Sequence, residues 1–276
     1  MTAPAVATEH AWLPHATCDS SCVGAGPASP RWLVVLRVTL RIFAALLLAP
    51  GVPLALMPLP GQMRVKRFYC RMVLRFFSVR ISVSGAPIRN LRGVLVVSPH
   101  MSWLDVFAIC SVLPGSFVAR ADMFGALSVR LLNIIPIERA SLRRLPAVVN
   151  TVADRLRAGQ TVVAFPEGTT WCGVACGSFY PAMFQAAIDA GRPVQPLRLT
   201  YHHVDGLIST APAFVGDDTL WRAMGRLLAA RRTLAHVHVE SLQLPGTDRR
   251  ALARRCQSAV GVGVSQRPGQ RHVLVA

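Results

Sequence analysis

Lysine is almost missing from this chain: Lys66 stands alone among thirty basic residues, and the others are all arginine. Acidic residues are scarce too. Thirteen Asp and Glu in 276 positions leave a formal net charge of +17. With so little internal neutralisation, the arginines present forked donors to an outside partner, and the guanidinium fork matches phosphate oxygens. Nucleic acid and an anionic membrane face both carry phosphates. Aromatics are only 7% of the sequence and are rarely interleaved with the arginines. Zinc-finger spacing and an aromatic RNA-binding strand pattern are lacking as well, which speaks against nucleic acid. A GC-rich coding bias would also favour arginine over lysine, but it leaves the charge unchanged.

A long uninterrupted apolar run is also lacking. The stretch from Ile42 to Met63 carries no charge, and about 20 apolar residues suffice to cross a bilayer. Pro50, Pro53, Pro58 and Pro60 interrupt it, however, and prolines at that density break a helix. Arg31, Arg37 and Arg41 precede the run, and Arg64, Lys66, Arg67, Arg71, Arg75 and Arg80 follow it. Basic residues on both sides favour the cytoplasmic face at both ends. The expectation is a monotopic or re-entrant helical pair on the cytoplasmic face of the cell membrane, with a single span as the alternative. A cleavable leader is not expected, because the first thirty residues contain acidic residues and no apolar core.

Residues 1–30, rich in Ala, Pro, Ser and Gly, read as a disordered extension. Residues 31–84 read as the membrane-associated helical region, 85–262 as a catalytic domain and 263–276 as a tail. Seven cysteines beside a basic membrane-facing region fit reduced cytosolic thiols better than a disulfide framework. Cys18 and Cys22 share a spacing with Cys172 and Cys176, with His10 and His15 nearby. The commonest two-residue zinc spacing is absent, so no metal is assigned.

From Gly93 onward the pattern is regular. Short β-rich runs at 94–98, 116–119, 134–137, 161–165, 193–199 and 235–242 alternate with helical stretches near 103–113, 124–132, 143–158, 180–190, 219–232 and 248–260. Such alternation predicts an α/β layer structure, a mixed and mostly parallel sheet flanked by helices. Functional sites in such sheets lie in loops beyond the strand ends.

Two motifs fall at such ends. Ser98-Pro99-His100-Met101-Ser102-Trp103-Leu104-Asp105 follows the apolar run Val94–Val97. A carboxylate one turn into the helix can fold back to an imidazole in the preceding loop, which leaves the other ring nitrogen to take a proton from a hydroxyl. Ser102-x-x-Asp105 also resembles a helix capping box with Asp for Glu, a purely structural role. Phe165-Pro166-Glu167-Gly168-Thr169-Thr170 follows Val162–Ala164. There Glu167 would project from a strand end, and Gly168 permits close backbone approach; an ordinary exposed turn would look the same. Between the motifs, Ile134–Arg139 ends in a guanidinium able to grip phosphate, with pairing to Glu138 or Asp154 as the alternative. Arg192-Pro193-Val194-Gln195-Pro196-Leu197 reads as a strand pinned by prolines.

In this order, the four blocks resemble the glycerolipid acyltransferases (PlsC-like), and in particular the bacterial 1-acyl-glycerol-3-phosphate branch. The resemblance covers roughly residues 85–210. It implies transfer of a fatty acyl group from acyl-CoA or acyl carrier protein to the free hydroxyl of lysophosphatidic acid, giving phosphatidic acid, with no cofactor. It implies His100 as general base and Asp105 as its orienting partner. Around the acceptor it implies Arg139, Glu167, Gly168 and Thr169, with Arg120 where the family more often has lysine. Asn133 replaces a common glycine, Glu138 is unusual before Arg139, and Trp171-Cys172-Gly173 departs from the usual continuation. These departures bear on the acceptor, so another lysophospholipid or a lyso-aminolipid is an alternative. A lipid ester or thioester hydrolase and a non-catalytic membrane-surface scaffold are the alternatives from other classes.

Overall fold

The computed structural model describes residues 13–24, 30–48, 50, 62–85, 92–120, 129, 133–138 and 142–261. Expectations on other residues lie outside the described part; these include Arg139, most of the helix near 124–132 and the tail at 263–276. Two helices come first, α1 (Arg31–Leu48) and α2 (Gln62–Phe76). Among the described residues seven strands and five further α-helices follow: β1 (Val79–Ser84), β2 (Leu95–Val97), α3 (Leu104–Val112), β3 (Ser116–Arg120), β4 (Ile134–Ile137), α4 (Leu145–Arg157), β5 (Val162–Ala164), α5 (Ala182–Asp189), β6 (Val194–His202), α6 (Leu220–Ala229), β7 (Thr233–Val239) and α7 (Arg249–Gly261).

The strands form one sheet in the order β1-β7-β6-β2-β5-β3-β4. Every neighbouring pair is parallel except β6 with β7. The predicted mixed, mostly parallel sheet is therefore present. Successive strand residues point to opposite faces, and the central strands are apolar on both. Val96, Val163 and Phe117 pack with α2 and α3 on one side, while Leu95, Val97 and Ala164 pack with α4, α5 and α7 on the other. Burial on both faces explains why these strands read as continuous apolar runs without alternation.

Two segments differ from the sequence reading. Val79–Ser84, placed in the helical region by its basic and polar neighbours, is an edge strand paired with β7. Residues 13–24, placed in a disordered extension, lie against the domain: Cys18 is buried, a short 3-10 turn spans Ser20–Cys22, and the Gly24 N–H donates to Thr210 Oγ1 at 2.7 Å.

Two helices, α1 and α2, stand in the region expected to be helical. Among the described residues no helix is long and apolar enough to cross a membrane. Arg41, expected as a flanking charge, is buried instead. Its guanidinium donates to the carbonyls of Leu227 and Ala230, each at 2.9 Å, and also to those of Leu228 and Arg231 and to Ser78 Oγ. The last carbonyls of a helix have no intrahelical partner and carry its negative dipole end, so Arg41 ties α1 to the C-terminus of α6. Arg41→Met should lower unfolding free energy by about 1.5–3 kcal/mol. The drop would be read as a shifted urea midpoint; an unchanged midpoint would show that the tether adds nothing.

Candidate active site

Strands β2 and β5 run parallel with Val97 level with Ala164. Both chains therefore leave the same edge of the sheet side by side, and the two motif loops meet there. They are joined main chain to side chain and main chain to main chain. The His100 N–H donates to Glu167 Oε2 at 2.7 Å, and the Trp171 N–H donates to the His100 carbonyl at 2.8 Å. A third loop closes the arrangement, with the Phe214 N–H on the Met101 carbonyl at 3.0 Å and Thr170 Oγ1 donating to the Phe214 carbonyl.

His100 Nδ1 lies 2.9 Å from Asp105 Oδ2, so the expected pairing is present. The same oxygen accepts the N–H groups of Met101 at 2.7 Å and Ser102 at 2.9 Å. The two readings of this segment are thus both realised in one atom: Asp105 closes the backbone of the loop and also holds the imidazole. Ser102 sits one position before the helix cap, where its Oγ accepts the Leu104 N–H at 3.3 Å. The Asp105 side chain is 0% exposed and the His100 side chain 19%. The imidazole stacks on Phe165 with ring centroids 4.0 Å apart. With Nδ1 taken by Asp105, Nε2 is the nitrogen left for proton transfer.

Asp105 has a further partner that motif reading missed. The Tyr201 hydroxyl donates to Oδ1 at 2.7 Å. The Leu197-x-Leu199-x-Tyr201 alternation of β6 was the available signal. It puts a tyrosine on a buried face, where its hydroxyl needs a partner.

Glu167 does not project from the turn as expected. It is 2% exposed, and its second oxygen accepts the Gly177 N–H at 2.9 Å. Burial pushes its carboxyl up to about 8; the two N–H donors oppose this and the nearby Asp105 adds to it. Glu167 thus sits beneath the loop that carries His100, holding that loop in place. Between its ordinary value of 4.5 and about 8 the folded chain keeps a proton that the unfolded chain has released. Stability should therefore fall as pH rises through that window. Glu167→Gln should flatten the fall, as seen in melting temperatures of the two proteins across the window. Parallel curves would mean that Glu167 does not titrate there.

Gly168 closes the Pro166-Glu167 turn with φ +68°, and a Cβ there would come within 2.7 Å of Pro14 Cγ. That close approach brings the N-terminal segment over the motif. Thr169 is half-buried in the same loop, and Arg120 is half-buried at the end of β3, level with Ile137 of β4. Arg139 lies two positions beyond Ile137, outside the described residues. Glu138 pairs with Arg144. Asn133 takes φ +50°, a left-handed conformation that suits glycine and that Asn tolerates better than most residues. Its amide also donates to Ser116 Oγ at 2.7 Å.

A mostly parallel sheet thus ends in loops that bring a buried carboxylate and a held imidazole together, an arrangement able to take a proton from a hydroxyl. The acyltransferase family model matches residues 80–200. The chain is 30% identical over 207 residues to the lyso-ornithine lipid O-acyltransferase of Pseudomonas aeruginosa, covering 73% of this chain and 78% of that one. It is 34% identical over 160 residues to the 1-acyl-sn-glycerol-3-phosphate acyltransferase of Neisseria meningitidis, covering 55% and 62%. The crystal structure of the 1-acyl-sn-glycerophosphate acyltransferase PlsC from Thermotoga maritima superposes with a TM-score of 0.58 at 18% identity, covering 87% and 99%, and so shares the fold. The chain belongs to the acyltransferase family and is an O-acyltransferase.

Proposed function

We propose that this enzyme moves a fatty acyl group from acyl-CoA or acyl carrier protein to the free hydroxyl of lysophosphatidic acid, at the cytoplasmic face of the membrane. The observation that carries the reading is His100, held through Nδ1 by a fully buried carboxylate and partly open to solvent. In the step proposed, Nε2 takes the acceptor's hydroxyl proton while that oxygen bonds to the thioester carbonyl carbon. The C–S bond then breaks, and the thiol leaves with the proton from His100. Asp105 stabilises the imidazolium between the two events. Arg120, Gly168 and Thr169, with Arg139, are assigned to the acceptor's polar end, and Glu167 to positioning.

Membrane seating is supported by α1, which exposes Trp32, Leu36, Leu40, Phe43 and Leu47, by the exposed Trp221 of α6, and by the basic helix α2. An exposed apolar stripe at helical spacing on α1, followed in the chain by a basic helix, fits an anionic bilayer.

A second acceptor, a lyso-aminolipid, is favoured by the longer match to the Pseudomonas relative and by the departure of this chain after Thr170. The test gives purified enzyme in phosphatidylglycerol vesicles labelled acyl-CoA or acyl carrier protein, with lysophosphatidic acid, lyso-ornithine lipid or no acceptor. Labelled phosphatidic acid supports the first acceptor and labelled ornithine lipid the second. Fatty acid release independent of acceptor would make the protein a hydrolase.

A further inference from the structure

Cys172 lies 150 or more positions along the chain from Cys18 and Cys22, yet the three sulfur atoms all lie within 4.8 Å of one another. Cys18 and Cys172 are buried and Cys22 is half-buried. We propose that these three thiols hold a tetrahedral, thiolate-seeking divalent cation of the zinc class, with Cys176 supplying the fourth ligand. The site is separate from the proton-transfer residues and holds the N-terminal segment against the catalytic loops.

Four observations converge on a metal. Four sulfurs about 2.3 Å from a zinc ion lie ~3.8 Å apart, so the three clustered sulfurs stand near ligand spacing, and Cys176, whose sulfur lies outside the cluster, has to turn in to complete the tetrahedron. A disulfide needs one pair at about 2.05 Å and would leave the third thiol without a function at the same spot. Second, Cys18 precedes and Cys22 ends the turn Ser20–Cys22, which is held by Asp19: its Oδ1 accepts the Ser21 N–H at 2.8 Å and its carbonyl the Cys22 N–H at 3.1 Å. The turn is built to aim two thiols at one point. Third, the Ala175 N–H donates to Cys172 Sγ at 3.4 Å, the kind of N–H to sulfur contact that supports a ligating thiolate. Fourth, Cys176 follows one bend after Cys172, and three intervening residues fall within the ligand spacing of structural zinc sites for both pairs.

The segment also needs an anchor. Of residues 13–24 only Cys18 is buried, so apolar packing holds it weakly. Nevertheless it passes Pro14 over Gly168, backs Asp19 onto Gly216 and reaches Thr210 with Gly24. A closed metal site supplies that anchor, because binding a structural metal is itself a source of folding free energy. On binding, each ligating thiol gives its proton to solvent and its sulfur lone pair to the cation. Cys172 follows Trp171, whose N–H holds the His100 carbonyl, so the metal would brace the loop on which the base is mounted.

The test is metal analysis of the full chain purified under reducing conditions without chelator, beside Cys22→Ser, Cys172→Ser and Cys256→Ser. Cys256 is buried in the core on the other face of the sheet. Wild type and Cys256→Ser are expected to hold about one zinc per chain, with less than about a tenth of that in the other two. Cobalt exchanged into wild type should give thiolate charge-transfer and tetrahedral d–d bands. After chelation, limited proteolysis should cut within residues 13–24 at least tenfold faster. If Cys172→Ser does not fold, the half-exposed Cys22→Ser decides. Metal-free wild type, equal zinc in all four proteins, or a Cys18–Cys172 disulfide found by mass spectrometry under these conditions would overturn the site. None of these readouts depends on which lipid is the acceptor.

Discussion

His100→Ala should lower kcat by about 10²–10⁴-fold, the usual contribution of a positioned general base, while the fold survives. The reason for survival is that the links from His100 to Glu167 and Trp171 of the second loop are main-chain links. The His100 N–H to Glu167 and its carbonyl to Trp171 do not need the imidazole. Asp105 keeps the Met101 and Ser102 N–H groups and the Tyr201 hydroxyl when the imidazole is gone. The ring's packing on Phe165 is lost, at a cost of about 0.5–1.5 kcal/mol. With no proton acceptor near the hydroxyl, the attack on the thioester must proceed through water or an unionised alcohol. The acceptor's KM should change little, because the groups assigned to its polar end are untouched. Steady-state transfer assays with circular dichroism as the folding control measure this. Retention of full transfer activity would remove His100 from the mechanism.

Asp105→Asn should be at least as damaging, with kcat reduced on the order of 10⁴-fold, as for loss of the charge behind a catalytic histidine. Oδ2 takes three donors, from His100, Met101 and Ser102, and Oδ1 takes the Tyr201 hydroxyl. An asparagine has one acceptor and one donor group for those places. If its oxygen replaces Oδ2, the amide N–H₂ meets the Tyr201 hydroxyl, which can turn and accept. If it flips, N–H₂ faces three donors in a fully buried site, where unmet polar groups cost about 1–3 kcal/mol each. The first arrangement preserves the loop, and only the charge is gone. The variant should therefore fold with reduced stability and turn over very slowly. Thermal melts and kcat measured together separate the two effects, and a loss below tenfold would mean that the carboxylate serves only the backbone of the loop.

The unequal legibility of the site follows from how far apart in sequence its bonded partners lie. His100 and Asp105 meet within one loop and one helical turn, so five positions of sequence were enough to place them. Tyr201 meets Asp105 across 96 positions. That contact exists because the sheet sets β6 beside β2, and no local pattern states strand order. Glu167 was legible as a residue of a turn after a strand, but its direction was not. The loop 165–177 folds back so that its carboxyl lies between the His100 and Gly177 N–H groups, which converts an expected acceptor contact into a buried brace. Arg41 shows the same limit, since its flanking charge was plain while its seat on the carbonyls of α6 required knowing which helices touch.

Short-range physics thus settled much of this protein from its sequence: β4 falls on 134–137 as expected, and the other anticipated strands match within a few residues. Apolar runs of strand length and helical periodicity are local properties, so they can be read along the chain. The edge strand β1 escaped because it is short, has exposed Arg80 and Val83 among its residues, and pairs, among the described residues, with β7 some 150 positions away. The tertiary structure alone decided which loops meet at the sheet edge. It also placed the cysteines of the N-terminal turn against Cys172, because contacts between distant segments depend on strand order and layer packing.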